Sequence, residues 1–347
     1  MTTLDPTAEK LPPATGASTS LANKSLSNKT LGGQTLSLVA LAGIWAVLLT
    51  APWWMGLVGG YTALGTRVLV LALAAMSVNF LLGFTGVLSF GHAAWFGLGA
   101  YGAGLALKFL APSTGLAIVA GMLLAGVAGG LLGTLIVRRR GVYFAMVTIA
   151  FGQVFYFIAF QWSSLTGGDD GLRGFSRQPI DIGPWSLDIA GSADAFYYFV
   201  LFVFAVVTAV MALILRSPFG RTMLAIRENE RRARFLGIAV ERHIWVVFTL
   251  SCFFMGVAGA LYALTNNFAD PRGLHYTQSG DFVMMAVMGG MRTFWGPLLG
   301  AAVFVVLQDY LSSVTVNWMS FLGLLFVLVV LFSPRGLLGF LQHRGQA

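Results

Sequence analysis

Charge is scarce in this chain. Only 10 % of its 347 residues are charged, against about 25 % in ordinary globular proteins. Cysteine is scarcer still: Cys252 is alone and lies inside an apolar run, which excludes an intrachain disulfide and a multi-cysteine metal site. No G-x-x-x-x-G-K-[ST] occurs, so the chain carries no P-loop of its own for ATP. HExxH and CxxC are absent, and the four histidines (92, 243, 275, 343) are scattered, so no metal centre and no catalytic constellation is expected. Ionisable residues are nearly missing from the apolar segments: Arg67, His92 and the edge residues Lys108 and Asp309 are the exceptions. Proton- and sodium-coupled carriers keep such groups at membrane depth, so their scarcity argues against ion coupling and against an intramembrane hydrolase. It favours a pore driven from elsewhere.

What the chain has in quantity is apolar. Hydrophobic residues make up 57 %, with 43 glycines and 28 phenylalanines, and glycine is common in membrane helices. The fold class expected is all-α: a polytopic membrane helix bundle of about 8–10 transmembrane segments with broken or re-entrant helices. Ten apolar segments can be counted, at about 36–57, 62–82, 91–110, 115–137, 143–160, 195–215, 244–266, 282–291, 294–311 and 318–333. Most approach the roughly 20 residues that span a bilayer core. The eighth is too short to span and is expected to be a half-helix or a re-entrant piece. Residues 1–35, rich in Ser, Thr, Ala, Pro and Asn, are expected to be a disordered cytoplasmic tail without a cleavable signal; residues 36–340 form the transmembrane domain.

The net charge of +8 follows topology, and no nucleic-acid partner is implied. With the N-terminus inside, 16 basic residues fall on the cytoplasmic side and 5 outside, whereas 5 acidic residues fall inside and 8 outside. That asymmetry predicts cytoplasmic N- and C-termini in a multi-pass protein surrounded by the lipid bilayer. Arg67 fits worst and is read as snorkelling outward on its long stem.

The most polar internal stretch is 216–243, with seven arginines and three glutamates. It cannot sit in hydrocarbon. Ser217 suits an N-cap and Pro218 the first helical position; Phe219, Met223 and Ile226 share one face, and Gly237 suits a left-handed stop. One or two amphipathic helices under the membrane are predicted, either a lipid-binding anchor or a docking element for a cytosolic partner. The outer loop 161–194 is expected to be a turn capped by Trp162 and Trp185, or a ledge that receives a solute-delivering protein.

Two stretches are apolar yet dense in helix breakers: 79–104, and 288–297 with Gly300 just beyond. Broken backbone at membrane depth must be buried in protein or line a wet cavity, and paired breaks point to a transport pathway. Asn79, Gly83, Gly86, Ser89, His92, Gly289 and Gly290 are the pathway candidates. The competing reading is that the glycines allow close helix packing and that Asn79 and His92 hydrogen-bond between helices.

Three stretches carry a family likeness: LGFTGVLSFGHAAWFGLGAYGAG (82–104), SPFGRTMLAIRENERRARFLGI (217–238), and MGGMRTFWGPLLGAA (288–302) with the ending SPRGLLG (333–339). Together they resemble the permease subunits of branched-chain amino-acid ABC transporters, in particular the LivM-like subunit. The resemblance implies a bacterial inner-membrane importer subunit without enzymatic activity. ATP would be bound by two partner ATPase subunits; a second homologous permease and a periplasmic solute-binding protein would complete the assembly. It also implies that the helix following Ser217 docks on the ATPase, with coupling candidates Ala225, Arg227, Glu228 and Glu230 in A-I-R-E-N-E. The general E-A-A-x-x-x-G docking pattern matches only at Ala233 and Gly237, because Arg231 and Arg232 occupy its first two positions. Related importers take urea, short amides or aromatic acids. A secondary transporter or channel, a membrane enzyme and a membrane scaffold are the remaining alternatives.

Overall fold

The computed structural model describes residues 38–56, 60–182, 185–332 and 336–338. The expected tail 1–35 and most of the ending 333–339 lie outside the described residues. The elements are helices α1 (Leu38–Met55), α2 (Thr62–Thr85), α3 (His92–Leu105), α4 (Thr114–Ile136), α5 (Val142–Gln161), α6 (Ala193–Arg216), α7 (Pro218–Glu228), α8 (Glu230–Phe235), α9 (Val240–Asn266), α10 (Tyr276–Gly289), α11 (Gly296–Val314) and α12 (Trp318–Phe332). The polytopic all-α bundle is observed. Seven of the described helices are long and apolar enough to cross a membrane, α3 being prolonged to Leu110 by a turn of π-helix, and α1 and α12 are shorter apolar helices.

The bundle is layered around α2 and α9. The most apolar stretch of α2 is 94 % buried inside the chain, although nothing in its composition distinguishes it from a lipid-facing helix. On α4 and α6 the apolar side chains turn outward, as at Leu131, Phe202 and Leu213, the arrangement lipid requires. Glycines bring α3, α4 and α9 into backbone contact: a Cβ on Gly259 would strike the Phe96 carbonyl, and one on Gly121 the Gly99 carbonyl. Without a hydrophobic drive between helices in lipid, such close approach is what holds them together.

Both predicted breaks are present. Helix α2 ends at Thr85: the capping Gly86 donates its N–H to the Leu82 carbonyl, its φ of 76° turns the chain out of the helix, and the chain stays non-helical until His92. Helix α10 ends at Gly289, Gly290 takes φ 123°, and helix resumes at Gly296 with Pro297 in its first turn. With 14 residues, α10 spans roughly 21 Å and cannot cross a bilayer core, so the half-helix expectation holds. It begins earlier than the predicted 282–291, because Thr277, Gln278, Ser279 and Asp281 are polar yet helical.

The loop 161–194 is more ordered than a capped turn. It contains a two-stranded antiparallel hairpin, β1 (Ile180–Ile182) with β2 (Trp185–Leu187), and a β-bridge joins Leu172 to Ala269. The Arg177 guanidinium lies 4.4 Å from the Phe196 ring centroid, and Thr114 exchanges hydrogen bonds with the Gln178 backbone.

Inside the bundle, His92 is fully buried and belongs to a polar network. Its Nδ1 lies 2.9 Å from Ser89 Oγ and its Nε2 2.8 Å from Ser251 Oγ. Ser251 Oγ donates to the Ser77 carbonyl at 2.7 Å, and Ser77 Oγ to the Ser251 carbonyl at 2.6 Å. Because the Ser251 proton is committed to Ser77, Nε2 must be the protonated nitrogen, and Nδ1 accepts from Ser89. This is helix-to-helix hydrogen bonding among α2, α3 and α9. Ser251→Ala is expected to lower stability by about 1–2 kcal/mol, read as a fall in the thermal midpoint of the detergent-solubilised protein; an unchanged midpoint would show that the network contributes nothing.

Candidate functional site

At one end of the bundle the chain leaves the membrane region as α7 and α8. Ser217 caps α7 by accepting the Gly220 N–H, and Pro218 occupies the first turn. The predicted apolar face is the one that packs: Met223 and Ile226 are buried, while Phe219 stacks on His243 at 5.5 Å and 16°. The chain kinks at Asn229, whose Oδ1 accepts from Arg232 N at 2.9 Å and so caps α8. Gly237, at φ 80°, closes α8. The helix grammar read from the sequence is therefore met residue by residue.

The charges on this pair divide into two sets. Glu230 is taken up within the chain, by Arg140 at 3.0 Å and Arg234 at 2.9 Å, and Arg234 also reaches Glu241 at 3.3 Å. Such part-exposed pairs are each worth at most about 1 kcal/mol. Glu228, Arg231 and Arg232 make no side-chain hydrogen bond or ion pair among the described residues. Ala233 is buried beneath them. Beside them Phe235 and Leu236 stand out, 91 % and 73 % exposed. Sequence reasoning did not single out these two; an apolar pair inside an arginine-rich stretch was the available signal.

Arg227 points the other way. Its Nη1 donates to the Gly83 carbonyl in the last turn of α2, where helix carbonyls lack intrahelical partners and a cation is favoured. Burial, and secondarily Arg292, lower its pKa from the usual arginine value; a guanidinium stays charged nonetheless. The same locus holds the second break. Asn79 Nδ2 donates to the Thr293 carbonyl at 3.0 Å, and Gly83 packs so closely on the Met291 carbonyl that a Cβ would overlap it.

The structure thus brings Asn79, Gly83, Gly86 and Arg227 together with residues 291–293. Gly289 and Gly290 lie just before them, packed against Gly296 and Gly336 respectively. Ser89 and His92 belong to the separate polar network. All seven pathway candidates except Gly86 are buried within the chain.

The opposite end of the bundle collects a different set of polar contacts: Tyr61 with Asp309 at 3.1 Å, Thr62 with Asp194 at 2.8 Å, and Arg67 with Gln308 at 3.2 Å. Arg67 is therefore hydrogen-bonded to α11 beside a cavity, which replaces the snorkelling expected of it.

Residues 60–330 match the family model described as branched-chain amino acid transport system / permease component. Among curated relatives, the chain is 28 % identical over 316 residues to the high-affinity branched-chain amino acid transport system permease protein LivM of Escherichia coli (strain K12), covering 84 % of this chain and 73 % of the relative. It is 26 % identical over 299 residues to the high-affinity branched-chain amino acid transport system permease protein BraD of Pseudomonas aeruginosa, covering 77 % of this chain and 91 % of the relative. A third relative, the L-arabinose ABC transporter permease protein AraH of Azospirillum brasilense, is 28 % identical over 213 residues, 57 % of each chain. No solved structure matches.

Proposed function

The chain belongs to the branched-chain amino acid transport permease family, a family of multi-pass inner-membrane transporter components and not an enzyme class, and on that premise we propose that it is the permease subunit of an ATP-driven importer of branched-chain amino acids. ATP is bound by two partner ATPase subunits, which grip α7 and α8 through Phe235, Leu236, Glu228, Arg231 and Arg232. Ala225, Ala233 and Gly237 shape that grip, and Glu230 holds it rigid against Arg140. A second homologous permease completes the pathway, and a solute-binding protein delivers to the opposite face, beside the outer hairpin. Both termini are cytoplasmic, on the side of α7 and α8.

The observation that carries this reading is the bond from Arg227 to Gly83. It links the exposed charged helices to the point where both broken segments meet, so a push on α8 reaches Asn79, Gly83 and Gly86 and, through residues 291–293, Gly289 and Gly290. Ser89 and His92 anchor the start of α3 behind them. Coupling requires the ATPase to bind two arrangements of this junction with different affinity.

The test is uptake of radiolabelled leucine into proteoliposomes containing the ATPase subunits, both permeases and binding protein. Uptake is expected only with ATP. Uptake that persists without the ATPase subunits, driven by a proton or sodium gradient, would overturn the reading.

A further inference from the structure

At the end of the bundle opposite α7 and α8, a cavity of about 100 Å³ opens between α2, α3, α9, α10 and α11. Its lining includes two arginines, Arg67 and Arg272, and two aspartates, Asp270 and Asp281. Leu71, Phe96, Met285 and Phe304 also line it, and all four are buried apolar side chains. Two of the charged groups are partly engaged: Arg67 donates to Gln308 Oε1 at 3.2 Å, and Asp270 accepts the Arg272 backbone N–H at 2.8 Å. The Asp281 carboxylate, half-buried on α10, and the Arg272 guanidinium have no hydrogen bond or ion pair among the described residues.

A carboxylate withdrawn this far from water is ordinarily paired. Here the cavity is open on one side, so a guest that enters it only in part can supply the counter-charge. A free anion would meet two carboxylates, and a free cation two guanidiniums. A molecule carrying both signs next to an apolar group satisfies every feature at once. Its ammonium sits on Asp281. Its carboxylate is shared by the guanidinium groups of Arg67 and Arg272. Its hydrocarbon lies on the apolar wall, the usual division of labour in a small-molecule site.

We infer that this cavity binds the zwitterion of a free α-amino acid with an apolar side chain, as a relay site between the delivering protein and the pathway. The inference rests on the transport reading above, so its test reads binding and not uptake. The purified full chain in detergent, without binding protein, is examined by saturation-transfer difference NMR with L-leucine, 3-methylbutylamine and 4-methylpentanoate. Leucine is expected to bind, and the two singly charged analogues at least about tenfold more weakly, since each leaves one charged group unpaired. Asp281→Asn and Arg67→Gln are each expected to weaken leucine binding about tenfold or more, with Arg67→Lys retaining part of it. Absence of leucine binding to the wild-type chain, equal binding of all three compounds, or leucine binding unchanged in folded D281N and R67Q would each overturn the inference. The wild-type comparison needs no variant to fold. Leucine binding of the expected pattern without ATP-driven uptake would remove the transport reading and leave the site standing; uptake without binding would do the reverse.

Discussion

Arg227→Ala is expected to lower ATP-driven uptake about 10- to 100-fold while leaving the protein inserted, folded and able to assemble. The side chain makes a charge-assisted hydrogen bond to the Gly83 carbonyl, a class of bond worth about 1.5–3 kcal/mol. That carbonyl belongs to the final turn of α2, so removing the cation leaves a helix terminus with an unanswered acceptor and an adverse dipole. The rest of α7 keeps its own anchors, the buried Met223 and Ile226 and the Phe219–His243 stack. The helix should therefore stay in place but lose its connection to the broken segments. ATP hydrolysis should continue, uncoupled from transport. Arg227→Lys should retain part of the uptake, since one ammonium can reach the carbonyl without the planar fork. Parallel measurement of uptake and hydrolysis in proteoliposomes checks this; wild-type uptake by R227A would show that the push travels by another route.

The second large effect concerns the joint between α10 and α11. A Cβ on Gly289 would overlap the Gly296 carbonyl, and one on Gly300 the Met285 carbonyl. The obstacle in both cases is backbone, which cannot rotate away as a side chain can. Gly289→Ala or Gly300→Ala is expected to cost about 1–3 kcal/mol or more, and leucine at either position should abolish recovery of folded protein. Gly323 is the internal control. A Cβ there meets nothing within 4 Å, and alanine is the better helix former, so Gly323→Ala should leave stability unchanged or slightly raised. Size-exclusion profiles after heating solubilised protein separate the outcomes. A G289A midpoint equal to that of G323A would contradict the packing described for this joint.

Much of the fold could be read from local sequence. Long apolar runs against a bilayer of fixed thickness leave few choices, so segment positions followed from hydropathy, and both breaks followed from glycine density. The α7–α8 grammar was equally local, since a cap, a proline and a left-handed glycine act within a few residues. The contacts that give these elements meaning were not local. Arg227 reaches Gly83 across 144 positions and Asn79 reaches Thr293 across 214, and no periodicity encodes such a meeting. That Arg67 would find Gln308 on α11, 241 positions away, was hidden for the same reason. The hairpin in loop 161–194 does carry a local signal: Ile180, Asp181, Ile182 and then Trp185, Ser186, Leu187 alternate apolar and polar on either side of a Gly-Pro pair, which is a hairpin pattern. The exposure of Phe235 and Leu236 depended on how α8 sits on the bundle, which one chain's sequence does not specify.

The claim on which the account turns is that α8 is where an ATP-hydrolysing partner takes hold. Single cysteines at 235 and 236, in a chain whose native Cys252 is fully buried, can be cross-linked in membranes containing the assembled transporter, with 162 at the opposite end of the bundle as the reference. Cross-links from 235 and 236 to an ATP-binding subunit, and none from 162, are the predicted result. No cross-link from either α8 position, or an equal yield from 162, would contradict it.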